Sequence, residues 1–215
     1  MSGTLTVDGR RRRGDRTREA ILRTAAAIAS AEGLDGVSLG RLAGDLGISK
    51  AGVYAHFESK EDLQLATIAS AQATFAAAVV EPALEAPPGL ARLWALCDRS
   101  LDYLARDVFP GGCFFFSTGA EFDARPGPVR DALALARRAW IRLYEQLVDD
   151  ARRAGEVVTT AEAEPRQVAF ELDALAMAAN VDRQLLDDAD AVPRARRAMR
   201  ARLAAIATPD TELPA

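Results

Sequence analysis

Between Leu39 and Phe57 two runs of helical spacing are separated by a single glycine, and no other feature limits the possible folds of this chain as tightly. Leu39, Leu42, Ala43 and Leu46 fall on one face of a short helix, with Ser38 in the N-cap position. Gly47 stands where that helix must stop and turn. Ser49 is placed to cap a second short helix, about Ser49 to His56, whose inner face is Val53 and Phe57. Ile48 and Val53 fill the angle between the pair. Ser59 and Asp62 have the S-x-x-D spacing of a capping box for the next helix, and Glu61 and Asp62 suit its positive end. Upstream, Ala20, Ile21, Ala25, Ile28 and Ala29 repeat at helical spacing across 16–32, and Gly33 follows as a C-cap. The layout is helix, tight turn, helix, and it leaves Lys50, Ala51, Tyr54 and Ala55 on the outer face of the second short helix.

The remainder reads as helix throughout. Further helices are expected over 60–80, stopped near Pro82, and over 89–107, 113–122, 129–154, 165–188 and 193–207, with the breaks at "APPG", "FPGG" and "RPGP". Strand alternation is absent. The fold class expected is all-α, with about nine helices. The tail "TPDTELPA", 208–215, is expected to be disordered.

The net charge of −4 is unevenly spread. Residues 1–60 hold ten Lys or Arg against seven Asp or Glu, which is +3, so the remainder carries −7. A basic front on an acidic body fits one end meeting a polyanion, and the cluster Arg10 to Arg13 is either part of that surface or a solvated tail. No apolar run reaches 18 residues and the basic N-terminus is followed by no apolar signal core, so no membrane partner is expected. Two cysteines, Cys97 and Cys113, are too few for a disulfide framework and suit a reduced, cytoplasmic setting. One histidine, no cluster of metal ligands and no nucleophile or phosphate-loop motif argue against an enzyme, and no cofactor is expected.

The stretch "TREAILRTAAAIASAEGLDGVSLGRLAGDLGISKAGVYAHFESKEDL", and above all "GISKAGVYAHFESKEDL", closely resembles the tetracycline-repressor (TetR) family of bacterial transcription regulators. The resemblance implies a flexible basic arm over 1–14, a three-helix DNA-binding domain over 15–60, and a larger helical ligand-binding and dimerisation domain over 61–207. It implies a dimer that binds a palindromic operator, most often as a repressor, and leaves it when a small effector binds. Thr17, Ser38, Ser49, Lys50, Ala51, Gly52, Tyr54, Ala55, His56 and Lys60 match the positions that meet DNA, with Tyr54, His56, Lys60, Thr17 and Ser38 on phosphates. Lys50 is suited to a guanine edge or a phosphate, and Ala51 to a thymine methyl. Gly40 departs from the family, where a longer polar side chain is common, so Lys50 or the arm would discriminate more.

For the second domain, Trp94, Cys97, Phe114, Phe115, Phe116, Phe122, Trp140 and Tyr144 concentrate aromatic surface expected to line an effector pocket, favouring an apolar or aromatic ligand. The resemblance puts pairing on the last two long helices, where Leu172, Leu175, Ala176, Ala179, Leu186, Met199, Leu203 and Ile206 could form the seam. Two other functions fit part of the pattern: a redox-sensing regulator acting through Cys113, which follows two glycines, and a helical protein-binding adaptor with no DNA function.

Overall fold

The structure, a computed structural model, describes residues 4–214, and side chains from residue 14 onward. Among the described residues there are nine α-helices and no strand. They are α1 (Thr4–Glu32), α2 (Leu39–Asp45), α3 (Lys50–Tyr54), α4 (Lys60–Leu84), α5 (Leu90–Ala105), α6 (Phe114–Phe122), α7 (Pro128–Arg153), α8 (Pro165–Leu186) and α9 (Ala191–Ile206). A 3-10 turn, Ala161–Ala163, precedes α8.

The contacts divide the chain into two compact units. The first comprises Met1–Gln72 and Phe109–Leu133; the second comprises Ala73–Val108 and Ala134–Ala215. The boundaries after Gln72 and Leu133 fall inside α4 and α7.

In the first unit, Ile21, Ala25 and Ala29 of α1, Leu34 and Val37 of the following turn, Leu42 of α2, Val53 and Phe57 around α3, and Leu63 and Ile68 of α4 are all buried. The turn between α2 and α3 closes as a Schellman motif: Gly47 N donates to Gly44 O and Ile48 N to Ala43 O, at 3.2 and 3.0 Å. Gly47 has φ +63, the left-handed conformation that glycine adopts without a Cβ clash. Helix α6 packs on α1 in this unit. Gly111 approaches the α1 backbone so closely that a Cβ there would lie 2.0 Å from Ser30 O. Gly111 N donates to Ser30 Oγ, and Ser117 Oγ donates to Ser30 O.

The second unit is organised around Leu93, Leu96, Cys97 and Leu101 of α5, Tyr144 and Val148 of α7, Val168 and Leu172 of α8, and Met199 and Leu203 of α9. Glu156 caps α5, its carboxylate accepting from Leu90 N at 2.6 Å. Arg196 of α9 donates to Asp98 and Asp102 of α5, both at 2.6 Å.

Three expectations are corrected. The basic segment before residue 15 is helical from Thr4 and continuous with α1, in place of a flexible arm. Arginine is a good helix former and no proline interrupts the segment. Met1 to Gly3 and the side chains of Arg10 to Arg13 lie outside the described residues. Pro82 does not stop α4. A π-helical turn at Ala76–Val80 resets the hydrogen-bond register, which puts Pro82 in the first turn of a new α segment, Glu81–Leu84, where its missing N–H costs little. That helix, Lys60–Leu84, is also long and apolar enough by length and composition to cross a bilayer. Finally, the tail is tied down up to Pro214. Thr208 N donates to Glu156 O at 2.9 Å, and Arg200 donates to the carbonyls of Leu213 and Pro214.

Candidate nucleic-acid interface

Three serines begin the elements that shape the interface. Ser38 Oγ accepts from Arg41 N at 3.2 Å and starts α2. Ser49 Oγ accepts from Gly52 N at 3.0 Å and starts α3. Ser59 Oγ accepts from Asp62 N at 3.0 Å, while Asp62 Oδ2 accepts from Glu58 N at 3.1 Å, and together they start α4. The caps satisfy backbone donors that short helices would otherwise leave open. The helix proper of α3 closes at Tyr54, short of His56, and His56 N donates back to Val53 O.

Ser49, Lys50, Ala51, Tyr54 and Ala55 face solvent together. Tyr54 is 58% exposed, a large aromatic left without cover on a five-residue helix. Ser38 is exposed at the start of α2, and Thr17 is half-buried on α1. Gly52 is half-buried, and a Cβ there would press on Ser49 Oγ at 3.3 Å, so the glycine makes room for the serine cap. His56 is half-buried, its ring 6.4 Å from that of the buried Phe57. Arg18 stacks over the Phe57 ring at 5.2 Å, tying α1 to the same corner.

The cations around this face are mostly engaged. Arg41 pairs with Glu32 and, at 3.6 Å, with Asp45. Lys60 Nζ donates to Asp35 O at 2.7 Å and to the Asp35 carboxylate, which Arg125 Nη1 also approaches at 3.4 Å. The Lys60 hydrogen bond, then its charge, holds the Asp35 carboxyl below its usual value of 3.8. Glu121 of α6 accepts from Leu34 N at 2.6 Å and Asp35 N at 2.9 Å, fixing the turn between α1 and α2. Sequence reading passed over Glu121, Asp35, Arg125 and Gly111, because 81 to 90 residues separate the partners they join and no local pattern links them.

The residues expected to line an effector pocket do not fall in one unit. Phe114, Phe115, Phe116 and Phe122 belong to the first, where Phe114 and Phe122 are core. Trp94, Cys97, Trp140 and Tyr144 belong to the second. There Trp140 and Tyr144 join Phe75 and Tyr103, which sequence reading did not single out. Ring centroids are 5.1 Å apart for Phe75–Tyr103, 5.0 Å for Phe75–Trp140 and 4.7 Å for Trp140–Tyr144, all edge to face. Asp173 of α8 is buried against this cluster, accepting from Trp140 Nε1 at 3.1 Å and from both terminal nitrogens of Arg137. Tyr144 Oη is fully buried beside Ser100 and Cys97, and burial raises its phenol well above the ordinary value. Trp94 instead lies under Arg200, 5.3 Å from guanidinium to ring.

Both cysteines are buried. Burial pushes the Cys97 thiol up to about 12, which suppresses thiolate at neutral pH. Cys113, at the start of α6, is 5% exposed, which counts against the alternative of a redox-sensing regulator.

The residues expected at the pairing seam are mostly covered within the chain. Leu172, Ala176, Ala179, Met199, Leu203 and Ile206 are buried inside the second unit, because they form the faces on which α8, α9 and α5 pack. Leu175 is half-buried and Leu186 exposed. The uncovered apolar face of α8 is a neighbouring stripe: Phe170, Met177, Val181 and Leu185, with Phe170 65% and Leu185 75% exposed. A shallow groove along it is lined by Phe170, Glu171, Ala174, Leu175, Ala198, Ala201 and Arg202.

A capped helix-turn-helix with a solvent-facing second helix, set in an all-helical chain, defines a helix-turn-helix DNA-binding protein. Residues 21–67 match the model of bacterial regulatory proteins of the tetR family, and residues 89–199 match the tetracyclin repressor-like C-terminal domain. The chain belongs to the TetR family of DNA-binding transcriptional regulators. Its fold is shared with a TetR transcriptional regulator from Chloroflexus aurantiacus J-10-FL, at 24% identity and TM-score 0.83, over 91% of this chain and 98% of that one. It is shared with a TetR-family regulator from Agrobacterium tumefaciens, at 19% identity and TM-score 0.78, over 91% and 100%. AibR, solved in complex with isovaleryl coenzyme A and operator DNA, matches at 19% identity and TM-score 0.66, over 85% and 95%. None of the curated proteins compared with the sequence matches it.

Proposed function

We propose that the protein is a cytoplasmic repressor that binds a pseudo-palindromic operator as a homodimer and releases it when a small apolar or aromatic effector binds. The observation that carries the DNA half of this reading is the exposed set Ser49, Lys50, Ala51, Tyr54 and Ala55 on a helix rigidly capped and braced from beneath by Val53 and Phe57. Small side chains at 51 and 55 let such a helix approach base edges, and Lys50 and Tyr54 supply donors for base or phosphate. Pairing through the Phe170, Met177, Val181 and Leu185 stripe would cover apolar surface that a lone chain leaves in water. The effector half is supported by the Phe75, Tyr103, Trp140 and Tyr144 cluster, where a buried hydroxyl and a buried carboxylate stand among packed aromatic rings. AibR, which shares the fold, was captured with both operator DNA and an acyl thioester.

The test is binding of the full-length chain to duplexes drawn from around its own gene, in competition with random DNA of equal length. Specific retention of one duplex is expected, and Tyr54→Ala should weaken it about tenfold. Equal affinity for all duplexes would overturn the reading, and binding to none would favour the adaptor. Native mass spectrometry of the purified protein should reveal a small molecule in the second unit, and adding that molecule should release DNA.

A further inference from the structure

The departure from the family at Gly40 acquires a physical meaning from the course of Lys50. A Cβ placed on Gly40 would lie 3.6 Å from Lys50 Cε and 3.9 Å from Lys50 Nζ. The lysine stem, rooted in the first turn of α3, therefore runs across the bare surface of α2 at the point where a longer side chain would stand. Its ammonium is delivered to that point. The two other cations of this face are neutralised, Arg41 by Glu32 and Asp45, and Lys60 by Asp35. Lys50 is exposed and forms no ion pair among the described residues. An exposed, unneutralised ammonium on a solvent-facing reading surface lacks only an acceptor. In the major groove guanine offers two, O6 and N7.

We propose that Gly40 and Lys50 act as one specificity-determining unit, in which the missing side chain at 40 lets Lys50 reach from α3 across α2 and read a guanine at one position of each half-site. The inference rests on the DNA-binding reading above and goes beyond it by saying which residue reads which base, and why α2 carries a glycine there. An alanine at 40 would sit in ordinary contact with the stem and leave its course unchanged. A glutamate at 40 would meet the ammonium with a carboxylate and hold it off the base.

Selection from a random duplex library, followed by competition binding of single-base variants, separates the possibilities for the full-length chain and for Lys50→Ala, Gly40→Ala and Gly40→Glu. The wild-type chain is expected to enrich a symmetric sequence with one guanine in each half-site whose replacement weakens binding about tenfold or more. Lys50→Ala and Gly40→Glu should each lose that preference at that position alone, while Gly40→Ala keeps it. Both sites are exposed, and far-UV circular dichroism of each variant establishes that the fold persists. If Lys50→Ala weakens every duplex equally and lowers the salt dependence by about one counterion, Lys50 holds a phosphate and the proposal falls. If Gly40→Glu leaves the guanine preference intact, the coupling to Gly40 falls. Should the wild-type chain enrich no sequence at all, the DNA-binding reading fails with it, an outcome distinct from the other two.

Discussion

Two glycines in the first unit have opposite relations to their surroundings. Gly111 has the α1 backbone where a side chain would go, with Ser30 O at 2.0 Å and Ala31 Cα at 2.6 Å from a Cβ. Backbone cannot step aside as a flexible side chain can, so Gly111→Ala must push the segment before α6 off α1. A loss of about 2–3 kcal/mol in denaturant unfolding is expected. Gly119, in α6, has nothing within 4 Å, and alanine there should stabilise by about 0.5–1 kcal/mol through helix propensity alone. Asp35 is a residue of a different kind. It holds Lys60 in the free protein, and a phosphate would have to compete for that ammonium. Its depressed carboxyl keeps the clasp intact above the usual 3.8, and the clasp is lost as pH falls through the lowered value. Asp35→Asn removes the charge from the clasp at every pH and leaves Lys60 the backbone carbonyl of residue 35. DNA affinity should rise about threefold with little change in stability, since exposed ion pairs contribute little. Unchanged or weaker DNA binding would show that Lys60 does not serve the phosphate backbone.

At the scale of elements, most of the fold was legible in the sequence because its signals are local. Each serine cap and the glycine turn between α2 and α3 is decided within four residues, and the structure forms each where the spacing put it. What the sequence did not reveal depends on contacts between distant segments. The α8 helix carries two apolar stripes, and periodicity alone cannot say which is covered by α9 and α5. The one containing Leu172, Ala176 and Ala179 is covered, and the one containing Phe170, Val181 and Leu185 is not. Aromatic richness likewise located Trp140 and Tyr144 but grouped them with phenylalanines of the other unit, and it missed Phe75 in its alanine-rich helix. The uncovered stripe leads to a prediction at this scale. Val181→Arg with Leu185→Arg places charge on two exposed positions without touching the core, so helical content should persist. Sedimentation should shift from dimer to monomer if this face is the seam. A double variant that still sediments as a dimer would move the seam elsewhere.

Charge and pairing combine at the scale of the whole molecule. The first sixty residues carry +3 and the rest −7, so attraction to a duplex must come from the front of the chain while the remainder repels it. Such an arrangement makes a single copy a weak binder, and two copies that add their phosphate contacts a much stronger one. Each neutralised phosphate releases counterions, so the logarithm of the binding constant falls linearly with the logarithm of salt concentration, with a slope set by the number of contacts. If the chain pairs through the uncovered face of α8, the dimer should therefore show about twice the slope of the Val181→Arg, Leu185→Arg variant on the same duplex. The comparison uses one sequence and one DNA surface, so the per-contact term cancels and the ratio counts half-sites directly. A ratio near one would mean that the second copy stabilises the protein without touching DNA. The role of pairing would then lie in the second unit, and the operator would be a single site.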